Sequence, residues 1–223
     1  DDVGRTGKPF FAAILTSSDH GPYVVPHYYE TKTKDVKIRA VEYADWSLKK
    51  FLRLASSKKW FNNTYFIFIA DHGAAIDPIY EIPLSYHHTP LIIFSPILKE
   101  SKTVEKIGGQ IDVFPTIMGL LKLPYINNTL GVDLLKETRP AIYFTADNKY
   151  GVLSDSLFLI ADTQGRESLF KYRDKDTKNY IGILKNESDK LKEYAQSNMQ
   201  TSGYILKNEK QFIRLGSEPV DKN

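Results

Sequence analysis

The stretch that decides the fold is "NTYFIFIADHGAAID", residues 63 to 77, where a short apolar run ends on an aspartate, a histidine and a glycine. A continuous apolar run too short for a helix reads as a strand buried on both faces. Gly73 lets the backbone turn sharply where the run stops. Two metal-capable side chains, Asp71 and His72, are thereby delivered to the carboxyl end of a strand, the rim at which open α/β sheets bind ligands.

Working outward, "PFFAAILTSS" (residues 9 to 18) has the same texture and predicts a strand over 9 to 17. Between the two runs, the segment from Asp35 to Ser57 places Val41, Tyr43, Ala44, Leu48, Phe51, Leu52 and Leu54 near helical spacing, which predicts an amphipathic helix. Beyond them, "TPLIIFSPI" predicts a strand over 90 to 95 with prolines at its ends, and "QIDVFPTIMGLLKL" a helix with Pro115 early in it. This alternation predicts an α/β protein with a partial, mostly parallel sheet flanked by helices over residues 1 to 140. After Pro140 the texture changes to short β-rich runs broken by Asn, Asp and Gly, then to the polar-faced helix "NESDKLKEYAQSNMQTSGYIL". Residues 141 to 223 are therefore expected to form a small subdomain of antiparallel β-meander and helix.

Composition bounds what such a fold does. The chain has 223 residues, 42% hydrophobic and 26% charged, enough for a sizeable core. Its 30 basic and 27 acidic residues leave a net charge of +3, without the one-signed footprint of a nucleic-acid binder. The basic, aromatic stretch "KKFLRLASSKKW" falls at helical spacing and reads as a solvated helix face. With no cysteine, thiol chemistry is excluded. No apolar run reaches the ~18 residues that span a bilayer, and the charged start "DDVGRTGKPFF" has the look of mid-protein sequence rather than a signal peptide.

Four of the five histidines stand beside the expected strand ends: His20 after the first, His72 after the second, and His87 and His88 before the third. Carboxylate with imidazole suits Zn²⁺ or Mn²⁺, and the absence of thiolates excludes a cysteine zinc knot. Each position also has a purely structural reading: a loop histidine at His27 or His87, a solvated carboxylate at Asp45, a solvated or capping one at Asp112.

The motifs gain meaning together. "SSDHGPY", then "NTYFIFIADHG", "HHTPLIIFSP" and "GGQIDVFPTIMGLL" resemble, in order and spacing, the alkaline-phosphatase superfamily, and within it the sulfatase-like lipoteichoic acid synthases and phosphoglycerol transferases. The resemblance runs from Pro9 to about Leu135, and "YRDKDTKNY" is more loosely similar to that family's carboxy-terminal subdomain. It implies that Asp71 and His72 hold a divalent cation, Mn²⁺ or Zn²⁺. It implies that His20 contacts the transferred group or its leaving oxygen, with Asp19 in place of the usual Asn, and that His88 is a substrate or second-metal contact. Asp112 and Thr116 match positions that are architectural in the family.

That chemistry suits these residue types. Attack on a phosphodiester or sulfate ester builds negative charge that a cation screens, while a histidine donates to the departing oxygen. The family's nucleophile is a threonine at a helix start, upstream of the first of these motifs; only nineteen residues precede His20 here, and Thr6 lacks the surrounding pattern. The resemblance therefore implies the carboxy-terminal part of a catalytic domain whose amino-terminal half is the missing partner. The parent is expected outside the cytoplasm, in the periplasm or at the cell surface, anchored by an upstream segment. Its substrate is expected to be an anionic ester: a phosphoglycerol lipid, a phosphoethanolamine lipid or a sulfated glycan. The alternative is a catalytically inactive module of the same fold that binds anionic glycans or lipids.

Overall fold

The computed structural model describes residues 4–17 and 20–208. The chain divides into two compact units, one of residues 1–69 and 90–101, the other of residues 70–89 and 102–223. The change of texture at Pro140 falls within the second unit.

In the first unit, helix α1 spans Val36–Ala55. It starts where Asp35 accepts hydrogen bonds from the Lys37 and Ile38 backbone N–H groups at 2.9 and 3.0 Å, satisfying two donors that the first helical turn leaves orphaned. Strands β1 (Phe66–Ile69) and β2 (Leu91–Phe94) pair with Phe66 opposite Phe94 and Ile69 opposite Leu91. Phe66 gathers the rings of Phe51, Trp60, Phe61 and Phe94 around it. The buried Ser95 ties the strand ends together by donating to the Thr64 carbonyl at 2.6 Å.

Two expectations change here. The pair β1–β2 is antiparallel rather than parallel, because the connection between the strands contains one short helical turn, α2 (Leu84–His87), and brings the chain back in the opposite direction. Residues 9–17 form no strand. A strand exists only through ladder hydrogen bonds, and among the described residues none pairs with this segment, so Phe11 and Leu15 stay 93% and 96% exposed.

The second unit carries helix α3 (Val113–Leu121), entered through a short 3₁₀ turn at Gln110–Asp112. A four-stranded antiparallel meander follows: β3 (Ala141–Ala146), β4 (Lys149–Ser154), β5 (Phe158–Asp162) and β6 (Glu167–Phe170). Helix α4 (Lys185–Lys207) comes last. The alternation of side chains explains the layers. Val152, Leu159 and Leu169 pack on Leu191 and Ala195 of α4, while Phe158 and Ile160 pack on Tyr80 and Ile82 from the 70–89 segment. Every residue of β5 is buried, which is why Phe158–Ala161 reads as a continuous apolar run rather than an alternating one before the strand ends on Asp162.

Of the two readings of Asp112, the capping one holds, since its carboxylate caps the 3₁₀ turn at Gly109, and the solvated one does not. Asp112 is fully buried, because its carboxylate organises three chain segments: it accepts from Gly109 N–H at 2.8 Å, from Val132 N–H at 2.9 Å and from the Arg139 guanidinium at 3.1 Å. Thr116 belongs to the same scaffold, its hydroxyl accepting from Leu134 N–H at 3.0 Å.

Candidate active site

The Asp71-His72-Gly73 loop is built from the backbone outward. Gly73 N–H donates to the Tyr86 carbonyl at 2.7 Å, docking the loop on α2. A Cβ at Gly73 would meet the Ser85 carbonyl oxygen at 2.3 Å and that of His88 at 3.4 Å, so the close approach is open only to glycine. The His72 ring stacks on Tyr86, centroids 4.5 Å apart and planes 19° from parallel. On the other side the Gln110 side-chain amide donates to the carbonyls of Ala70 and Asp71 at 2.9 and 2.8 Å.

This frame sets the polar atoms. His72 Nδ1 lies 2.8 Å from the Gly73 carbonyl, an acceptor, so Nδ1 is the donor of this bond, and in the neutral ring the lone pair is then on Nε2. One Asp71 oxygen, Oδ1, accepts from His72 N–H at 2.9 Å. The other, Oδ2, lies 3.8 Å from His72 Nε2, and the two side chains are 84% and 51% exposed. A zinc-sized cation takes such ligands at about 2.0–2.2 Å, which sets neighbouring ligand atoms of a tetrahedron roughly 3.4 Å apart. The Asp71–His72 pair thus fits two corners of one cation's shell. Among the described residues, no group of three or more His, Cys, Asp or Glu side chains is gathered so as to hold a metal ion.

His88 ends α2 in an extended conformation, exposed, with its N–H bonded to the Leu84 carbonyl at 2.9 Å, and its carbonyl is the one beside Gly73. His20 belongs to the first unit, exposed, with Nδ1 3.0 Å from the Gly21 carbonyl. Asp19 lies outside the described residues. His87 is a packing residue: its ring stacks on Phe144 at 4.3 Å, and burial lowers its pKa. Sequence reasoning missed Tyr86 and Gln110 as supports of the loop. The signal for Gln110 was its place between two glycines and a buried carboxylate in "GGQID".

Comparisons with known proteins place the chain in a family. A family model described as Sulfatase matches residues 2–123. Arylsulfatase K of Gallus gallus is 26% identical over 115 residues, covering 47% of this chain and 22% of that protein. The lipoteichoic acid synthase-like YvgJ of Bacillus subtilis (strain 168) is 24% identical over 157 residues, covering 59% of this chain and 25% of that one. The chain therefore spans about a quarter of the length of the curated relatives it matches. A crystal structure of a protein in the alkaline phosphatase superfamily from Vibrio parahaemolyticus superposes with a TM-score of 0.78 at 24% identity, over 93% of this chain and 52% of that one. That likeness establishes the fold, and the family model covers more than half of the sequence. The chain belongs to the sulfatase family.

Proposed function

We propose that this chain forms the carboxy-terminal part of a metal-dependent sulfatase-like catalytic domain that transfers or hydrolyses phosphoglycerol-type phosphodiesters or sulfate esters. The observation that carries the reading is the Asp71–His72 pair, whose free Oδ2 and Nε2 lie 3.8 Å apart at the exposed tip of a pinned loop. Asp71 and His72 would hold a divalent cation, Mn²⁺ or Zn²⁺. When bound, the cation supplies charge to polarise the ester and to favour an ionised nucleophile. His72 Nδ1 donating to the Gly73 carbonyl would hold the ring still and leave Nε2 as the atom to ligate the cation. By the same resemblance, His20 would contact the transferred group or its leaving oxygen, and His88 would contact the substrate or a second metal ion. The nucleophile, by resemblance a threonine, is supplied from outside residues 1–223.

The substrate class follows from the same chemistry: a single negative charge on a tetrahedral ester, with phosphoglycerol, phosphoethanolamine and sulfate as its forms. The relatives' names, arylsulfatase and lipoteichoic acid synthase-like, span that range. The lipoteichoic acid synthase-like relative also supports an extracytoplasmic setting for the parent protein. No helix among the described residues is long and apolar enough to cross a membrane, so an anchor, in this reading, lies elsewhere.

The test is turnover of bis-p-nitrophenyl phosphate and 4-nitrocatechol sulfate, with Mn²⁺ or Zn²⁺, by the complete gene product and its Asp71→Ala and His72→Ala forms. Each substitution is expected to lower the rate at least a hundredfold, whereas residues 1–223 alone show no turnover and only weak metal binding. Activity that survives Asp71→Ala overturns the reading. A folded but inactive gene product that retains sulfated or phosphoglycerol polymers would instead favour the binding module.

A further inference from the structure

In an extended strand, successive side chains point to opposite faces and successive carbonyls to opposite edges. Strand geometry carried past Ile69 would send Asp71 and His72 apart, and no cation could touch both. The loop departs from it: one nitrogen, Gln110 Nε2, lies 2.9 Å from the Ala70 carbonyl and 2.8 Å from the Asp71 carbonyl, so two successive carbonyls face the same donor. An amide nitrogen carries two protons, one for each acceptor.

Gln110 itself starts from a fixed base. The residue before it, Gly109, gives its N–H to Asp112 Oδ2, and the buried Asp112 is held by Val132 N–H and the Arg139 guanidinium. Opposite, His72 is backed by Tyr86 and Gly73 is tied to the same residue's carbonyl. We propose that Gln110 is a positioning residue: by bridging the carbonyls of Ala70 and Asp71, it breaks the strand alternation and turns Asp71 Oδ2 and His72 Nε2 toward one point. The inference rests on the metal-site reading above and names what makes that site possible.

Gln110→Met, which keeps the side chain's length and removes both donors, tests it in the 223-residue protein. Three quantities are read: Mn²⁺ affinity from paramagnetic broadening of the His72 ring signals, hydrogen exchange at the His72 and Gly73 amides, and the melting temperature. Gln110→Met should weaken Mn²⁺ binding by ten- to a hundredfold, the usual effect of losing a support behind a metal ligand. It should speed exchange at the two amides about tenfold, with melting moved by less than about 2 °C because Gln110 is exposed. Lys106→Met removes donors to the Leu134 and Glu137 carbonyls and should change neither Mn²⁺ affinity nor exchange in the loop. Unchanged exchange and affinity in Gln110→Met overturn the proposal. If the unaltered protein shows no Mn²⁺ effect at His72 while Gln110→Met still speeds exchange, the bridge stands and the metal reading falls.

Discussion

Arg139→Met should be among the most damaging single substitutions in the second unit. The Asp112 side chain is fully buried and that of Arg139 8% exposed, with Nη1 3.1 Å from Oδ2. Arg139 Nη2 also donates to the Leu130 carbonyl at 2.9 Å. Methionine fills much of the same volume, so the change chiefly removes the countercharge. Asp112 would keep two backbone donors, Gly109 and Val132, but a carboxylate would remain in the interior with no cation. Breaking a buried pair in this way costs about 3–5 kcal/mol, a fifth or more of the ~5–15 kcal/mol that a domain of this kind has in reserve. With a urea slope of about 2 kcal/mol per molar, the midpoint should fall by roughly 1.5–2.5 M. The assay is urea unfolding followed by circular dichroism, whose signal includes the meander and α4 together with α1, read beside the fluorescence of Trp46 and Trp60, which lie in the first unit and report on that alone. The double substitution Asp112→Leu with Arg139→Met removes the orphaned charge, leaving the two N–H groups unpaired at about 1–3 kcal/mol each. It should be less destabilised than the sum of the singles. A loss below about 1 kcal/mol for Arg139→Met, or strict additivity in the cycle, would refute the reasoning.

Gly73→Ala should displace the loop from α2, because its Cβ would sit 2.3 Å from the Ser85 carbonyl oxygen; a loss of about 2 kcal/mol in thermal unfolding and a changed His72 ring environment by NMR are expected. The carboxyl of Asp162 is held below its ordinary value, first by the Arg166 backbone N–H and then by the Arg166 guanidinium and Gln164 N–H, against the opposing pull of burial. A depressed folded pKa gives stability that is present above the unfolded value of about 3.9 and lost as pH falls through the folded one. The stability gap between the unaltered protein and Asp162→Asn should thus be constant above about pH 5 and close below about pH 4 in urea titrations. Phe11, Ile14 and Leu15 expose apolar side chains along a segment that pairs with no strand among the described residues. Light scattering should show self-association that Phe11→Ser with Leu15→Asp reduces; equal scattering would count against it.

What could be read from the sequence was what a segment says about itself. The 3.6-residue spacing behind Asp35 located α1 to within two residues of its ends, and the Asn, Asp and Gly breaks after Pro140 located the meander and its closing helix. What could not be read was each segment's partner. "PFFAAIL" has a strand's pattern, but no ladder among the described residues gives it one, and β1 and β2 carry no local mark of the direction in which they pair. Asp112 looks like any cap until Arg139, 27 residues on, is found against it. The candidate site shows the same division. That a carboxylate and an imidazole stand at a strand's end is legible in "FIFIADHG"; that they face one another is not, since the strand pattern alone would set them on opposite faces. What the local pattern leaves out is the glutamine some forty residues downstream that bridges two carbonyls of the loop. A motif of adjacent ligands at a strand end therefore identifies a site only together with whatever ends the strand's alternation, and in this chain that second half lies in "GGQID".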